Sequence, residues 1–173
     1  MLIILGGLPG SGKTTLAIAL SKALKATHIR IDSIEQAIKN SMLKADEVID
    51  AGYLVGCALA KDNLSIGQIV VADSVNSIEI TRKLWRDVAI SAKSDFVEVE
   101  IVCSNKSEHI KRIKTRVADI SGLKLPDWQK VENRDYEVWK SKNIIIDTSG
   151  KTIEDSLDEL LNSLQPLLYK NFK

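Results

Sequence analysis

Cysteine is almost absent from this 173-residue chain: Cys57 and Cys103 stand alone in apolar surroundings, and no CxxC pair exists. That argues against a disulfide framework or a thiolate zinc site, and a reducing cytoplasm is the expected compartment. Proline (three) and glycine (nine) are too few for the many turns of an all-β domain. No apolar run approaches the ~20 residues of a membrane span. Met1–Leu5 lacks a basic leader and is too short for a signal core, so no targeting segment is expected. Excess charge of one sign is missing too. Lysine plus arginine total 24 against 23 acidic residues, a net +1 that argues against a polybasic anchor or a nucleic-acid coat protein. Net charge says nothing of its distribution, so a local basic pocket stays open.

What is present is ordinary globular material, 45% apolar and 27% charged, of one domain's length. Residues 1–173 are read as a single domain. Leu2–Leu5, stopped by Gly6-Gly7, reads as a buried strand, and Gly12 to about Ala26 as a helix. His28–Ile31 is a second strand, closed by Asp32-Ser33, either of which suits the cap of the next helix. Residues 46–64 read as a helix with Val48, Ala51, Val55 and Leu59 on its apolar side. Gln68–Ala72, Phe96–Cys103 and Asn143–Asp147 are further strands. Helices are expected over Ser77–Ser91, Lys106–Ala118, Asp127–Trp139 and Ile153–Leu168, with a loop over Ile120–Asp127. Five buried strands alternating with helices predict an α/β fold, a five-stranded parallel sheet covered on both faces.

Gly7-Leu8-Pro9-Gly10-Ser11-Gly12-Lys13-Thr14 matches GxxxxGK[ST] without a gap, between an expected strand and an expected helix. The glycines let backbone N–H groups converge on phosphate oxygens, and the helix start adds its positive dipole end. Lys13, on what reads as a surface loop, brings charge to the β- and γ-phosphates. The Thr14 hydroxyl suits Mg²⁺, and Thr15 is the next donor, towards the α-phosphate. The motif resembles the P-loop NTPase superfamily, which implies ATP binding with Mg²⁺. No NKxD-type guanine motif is present, which disfavours a GTPase.

Asp32 falls at the C-terminal end of the second strand, where ligands gather in open α/β sheets. It can accept the proton of an attacking hydroxyl or merely cap a helix. Asp32-Ser33 before a helix resembles chloramphenicol phosphotransferases, and Val70-Val71-Ala72-Asp73-Ser74-Val75-Asn76 is similar to zeta toxins and polynucleotide-kinase-like (AAA_33-type) P-loop kinases. The resemblance implies a small kinase with a helical lid over about 106–140, and a base at Asp32. Asp73 fits a Walker B carboxylate holding Mg²⁺, or a contact to the acceptor, or a helix cap.

Asn76 and Arg82 suit the acceptor pocket or a solvated helix start. His109, Arg112 and Arg116 are expected on one helical face, and the two arginines are candidates for transition-state charge. A solvated basic face is the plainer reading, and the absence of interleaved aromatics disfavours RNA or DNA. Ser121–Pro126 is a candidate hinge. Trp128, Tyr136 and Trp139 read as packing, Arg134 as packing or a phosphate contact, and His28 as structural. The turn Asp147-Thr148-Ser149 resembles the adenine side of nucleotide kinases. The expected activity is transfer of the γ-phosphoryl group of ATP to a hydroxyl of a small acceptor. A polynucleotide 5′-hydroxyl or nucleotide-sugar kinase and a nucleotide-driven ATPase switch are the alternatives.

Overall fold

Leu2, Ile3, Ile4 and Leu5 are all fully buried, and their alternation splits the core in two. Ile3 and Leu5 pack with Val71, Val99, Ile101 and the helix residues Leu16, Leu20, Leu160 and Leu164. Leu2 and Ile4 pack on the other face with Val70, Ala72, Ala60, Leu64, Trp85 and Ala89. A strand with apolar side chains on both faces must lie inside a sheet covered twice. In the computed structural model, which describes residues 1–42, 47–141 and 144–168, this strand is β1 (Leu2–Gly6).

β1 lies third in an all-parallel sheet of order β2-β3-β1-β4-β5. Its companions are β2 (Thr27–Arg30), β3 (Val70–Asp73), β4 (Phe96–Val102) and β5 (Ile144–Asp147). α1 (Lys13–Leu24) and α7 (Ile153–Leu168) cover one face. α3 (Ala51–Ser65) and α4 (Glu79–Ser91) cover the other, with α2 (Ile31–Asn40) beside them. α5 (Lys106–Thr115) and α6 (Trp128–Glu132) stand at the C-terminal edge of the sheet. Among the described residues, no helix is long and apolar enough to cross a membrane.

The five expected strands and their parallel order are present, with differences that have physical causes. Asp46 and Asn143, the first residues of an expected helix and strand, lie outside the described residues. α3 buries Gly52, Gly56, Ala60 and Leu64, while Val55 and Leu59 face solvent. The wrong side was expected because glycine carries no hydrophobic signal. Here its missing side chain is what allows contact: a Cβ on Gly56 would lie 2.6 Å from Ile31 Cδ1 and 3.2 Å from the Trp85 ring. Ile31 opens α2 instead of closing β2, and the N-cap is Arg30, with no side-chain cap bond. Asp32 and Ser33 therefore sit inside the first turn and cap nothing.

α5 stops at Thr115 and leaves Arg116 in extended geometry, φ −64° and ψ 132°. Asp127 does cap α6, accepting from the Lys130 amide at 2.9 Å. That helix ends after five residues, and Arg134–Ser141 is irregular where a helix through Trp139 was expected. Trp139 turns inward against Gly6 and the Arg82 guanidinium, a packing that a continued helix would not give.

Gly56→Val tests the buried glycine stripe. Overpacking typically costs ~1–3 kcal/mol, so thermal unfolding should show Tm lowered by roughly 3–10 °C. The exposed neighbour change Val55→Ala should shift stability by less than ~0.5 kcal/mol.

Candidate functional site

The loop between β1 and α1 is shaped by close backbone approach. Gly7 has φ +144°, and a Cβ there would sit 2.2 Å from the Ile101 carbonyl oxygen. Gly10 (φ +82°) lies against Ile113, where a Cβ would come within 2.6 Å of Cδ1. Three further bonds hold the loop. The Gly7 amide donates to Val75 O at 3.0 Å, His109 Nε2 donates to Pro9 O at 2.8 Å, and Thr148 Oγ1 lies 2.7 Å from Ser11 O. α1 starts after Gly12 without a side-chain cap, so its first amides remain for an anion. The buried Ser11 hydroxyl has no protein partner. This donor-lined, tightly wound cradle fits a polyphosphate formed around Gly7–Thr15.

Lys13 is not on an open surface. Its side chain is buried, and Nζ lies 2.8 Å from Asp73 Oδ1. The same oxygen is 3.4 Å from Thr14 Oγ1, and Oδ2 is 3.2 Å from His28 Nε2. Burial alone would raise the Asp73 pKa. The Lys13 charge and the bonds from His28 and Lys13 outweigh it and hold the carboxyl well below the usual carboxylate range. Asp73 caps no helix, since α4 begins at Glu79 behind the N-cap Ile78. Thr14 and Asp73 together offer a hydroxyl and a carboxylate, a hard oxygen set that suits Mg²⁺. His28, read as structural, is a direct partner of this carboxylate. Among the described residues, no cluster of three or more His, Cys, Asp or Glu could hold a metal ion unaided.

A single cleft of about 820 Å³ runs from Gly10, Lys13 and Thr15 to Asp32, Glu35 and Tyr53, beneath Arg112, Arg116, Lys124 and Arg134. Arg112 is pinned beside Gly12: Nη1 donates to Thr148 Oγ1 at 2.7 Å, and Nη2 to Thr148 O at 2.9 Å and Glu108 Oε1 at 2.7 Å. The solvated-face reading of this helix is therefore incomplete, because His109 and Ile113 are buried under the loop. The expected single face of three residues also fails, since Arg116 lies past the helix end.

Asp32 lies 4.0 Å from Arg30, which Asp119 grips through both oxygens at 2.5 and 2.9 Å. Glu35, one helical turn beyond Asp32, faces the same cleft. Burial first, and the Asp32 charge second, push its pKa up. Its i, i+3 spacing from Asp32 was available in the sequence as a signal. Arg30 and Asp119 carried no such signal, being 89 residues apart.

Asn76 and Arg82 belong to neither expected setting. Both are fully buried. Asn76 adopts φ +48° and donates to Leu5 O at 2.7 Å. Arg82 donates to Asn76 O at 2.8 Å and Glu137 O at 2.6 Å, with its guanidinium 4.2 Å from the Trp139 ring centre. They are struts behind the site, and neither lines the cleft. Trp128 packs edge-on to His109 at 5.2 Å, in line with the packing reading. Arg134 is exposed at the cleft rim. Asp147 accepts from the Ser104 and Ser149 amides at 3.1 and 3.0 Å, so its carboxylate fastens the turn that carries Thr148.

Because native Asp73 stays ionised far below its unfolded value, its pairing stabilises the fold fully above about pH 4 and fades on acidification below it. Lys13→Met should lower Tm at pH 7, and the gap to the parent should narrow as pH falls from 4 to 2. A gap that is constant with pH in a thermal unfolding series would contradict this pairing.

The chain resembles known proteins along most of its length. The AAA domain family AAA_33 matches residues 2–131. An adenylyl-sulfate kinase of Bacteroides thetaiotaomicron is 27% identical over 179 residues, covering 95% of this chain and 83% of that protein. Among solved structures, a gluconokinase from Sinorhizobium meliloti 1021 superposes with a TM-score of 0.67 at 19% identity, covering 98% of this chain and 94% of the other. The Mycobacterium tuberculosis APS kinase CysC, in complex with AMPPNP and APS, gives 0.68 at 17% identity, covering 95% and 96%. The chain belongs to the AAA_33 family and is a P-loop kinase.

Proposed function

We propose that this kinase transfers the γ-phosphoryl group of ATP to a hydroxyl of a small acceptor, with Asp32 as the general base. The observation that carries the reading is the position of Asp32. It stands at the end of β2, inside α2 and free of capping duty, in the same cleft as Lys13 and Arg116. The cradle of residues 7–15 holds the polyphosphate, and Lys13 meets its β- and γ-oxygens. Thr14 and Asp73 would hold Mg²⁺, whose charge neutralises that developing on the phosphates. Asp32 takes the proton of the acceptor hydroxyl as its oxygen bonds to the γ-phosphorus. The bond to the bridging oxygen breaks, and ADP departs with that electron pair. Arg112 and Arg116 offset charge on the group in flight.

The acceptor wall supports a particular acceptor class. Asp32 and Glu35 stand one helical turn apart on it, and the neighbouring cation Arg30 is already paired with Asp119. Two carboxylates repel a third anion and bond well to hydroxyls, so a neutral or aminated polyol suits the wall better than adenylyl sulfate. Tyr53 and Thr81 add hydroxyls to the same wall.

An acceptor-dependent ADP-release assay over sugars, amino sugars, nucleosides, oligonucleotide ends and adenylyl sulfate tests both statements. A polyol is expected to be phosphorylated fastest. Asp32→Asn should lower transfer ~10²–10⁴-fold, the usual worth of a general base, while ATP still binds. Full turnover in Asp32→Asn at saturating Mg²⁺ would remove the base from the mechanism.

A further inference from the structure

We infer that the Arg30–Asp119 ion pair positions Arg116 for phosphoryl transfer by tying the segment 116–127 across the mouth of the cleft. The inference rests on the kinase reading of the site. It starts from where α5 ends. Thr115 is its last helical residue, so the helix does not set the direction of Arg116. Three residues later, Asp119 meets both terminal nitrogens of Arg30, at 2.5 and 2.9 Å. Paired forks of this kind fix orientation as well as distance.

The two partners are unequal. The Arg30 side chain is 10% exposed and that of Asp119 is 54% exposed. Arg30 is thus the buried half of the pair, at the end of β2, and Asp119 is the solvent-facing half. The bond from Arg30 holds the Asp119 carboxyl below its ordinary range, so the pair is charged at neutral pH.

A second contact follows on the same segment. Gly122, at φ +84°, lies over the buried Gln36 of α2, where a Cβ would be 3.1 Å from Nε2. Topology gives this ion pair and this close approach their consequence. α5 leaves from β4 and α2 leaves from β2, and β1 and β3 lie between those strands. A segment that starts on α5, is ion-paired to Arg30 of β2 and lies against Gln36 of α2 must therefore cross the ends of β1 and β3, where Lys13 and Asp73 sit. Arg116 lies within that crossing and lines the cleft with Gly10 and Lys13. Arg30 also lies 4.0 Å from Asp32, so the residue that holds segment 116–127 adjoins the proposed base. Asp119 is a positioning residue here: it acts through Arg116.

Binding to the full chain tests this without a known acceptor. The probes are MgADP with aluminium fluoride, which mimics the group in flight, and MgAMPPNP, which mimics the ground state. The parent should prefer the fluoride complex. Asp119→Asn should lose roughly 10–100-fold of that preference, less than the ~10²–10³-fold for removing a transition-state donor outright, because Arg116 is misplaced and not deleted, while keeping its AMPPNP affinity and Tm. Asp119→Glu should recover most of it. Arg116→Ala with Asp119→Asn should be no worse than Arg116→Ala alone, since one acts through the other.

Arg30→Gln, read the same way, gives the answer from the other half of the pair should Asp119→Asn fail to fold. A preference retained in Asp119→Asn would overturn the inference. So would losses that add in the double variant, or equal weakening of both probes together with a lower Tm. A parent that shows no preference at all would instead overturn the kinase reading, and is recognised before any substitution is made.

Discussion

A carboxylate buried at the end of β3 is where the parts of this protein meet. Asp73 stands beside Leu5 in register on one side and Arg30 on the other, so it reports the alignment of three strands at once. Its oxygens take Lys13, Thr14 and His28, which come from α1 and β2. An ionised carboxylate out of water carries a large solvation cost, and only close opposite charge and hydrogen bonds offset it. The loop that carries Lys13 must therefore arrive in one place. A one-residue slip of β3 would turn Asp73 toward Trp85 and Ala60, on the apolar face where Ala72 now packs, and away from Lys13, Thr14 and His28. Sheet register and the phosphate site are in this sense a single constraint.

Cations are divided by burial between scaffold and site. Arg82 is spent wholly inside, joining the turn at Asn76, the irregular segment at Glu137 and the ring of Trp139. It gives a segment without regular structure a place to dock. Arg112 is clamped by Thr148 and Glu108, which fixes it beside the phosphate loop before any ligand arrives. In the proposed mechanism such preorganisation would favour transfer, because the donors need not reorient as charge moves. Arg116 lies past the end of α5 and takes no direction from that helix, so its place is set by the segment that follows it.

Much of the fold is legible in the residues. Leu2–Leu5 and Val70–Ala72 are unbroken apolar runs of the kind that fill a doubly covered strand, Phe96–Val102 alternates at strand period around Glu98 and Glu100, and GxxxxGK[ST] between strand and helix leaves little choice of loop. Other parts carry no local mark. The glycines of α3 look like breaks in an apolar stripe and turn out to be the stripe, because a helix can approach closely only where side chains are small. Residues 128–139 have the composition of a longer helix, but the helix ends at Glu132 and Trp139 is buried against Arg82 and Gly6.

Periodicity, punctuation and the phosphate-loop pattern thus determine from sequence alone the α/β class, the number of strands and the position of the nucleotide cradle. These are properties of contiguous residues, and short-range sterics and hydrogen bonding enforce them. Which charges become partners is decided only in three dimensions. Arg30 and Asp119, Lys13 and Asp73, and Arg82 and Trp139 are joined across long stretches of chain, and no local pattern announces them. The physical reason is that pairing energy depends on burial and distance. Both are set by how the helices close over the sheet, after the local structure has already been chosen.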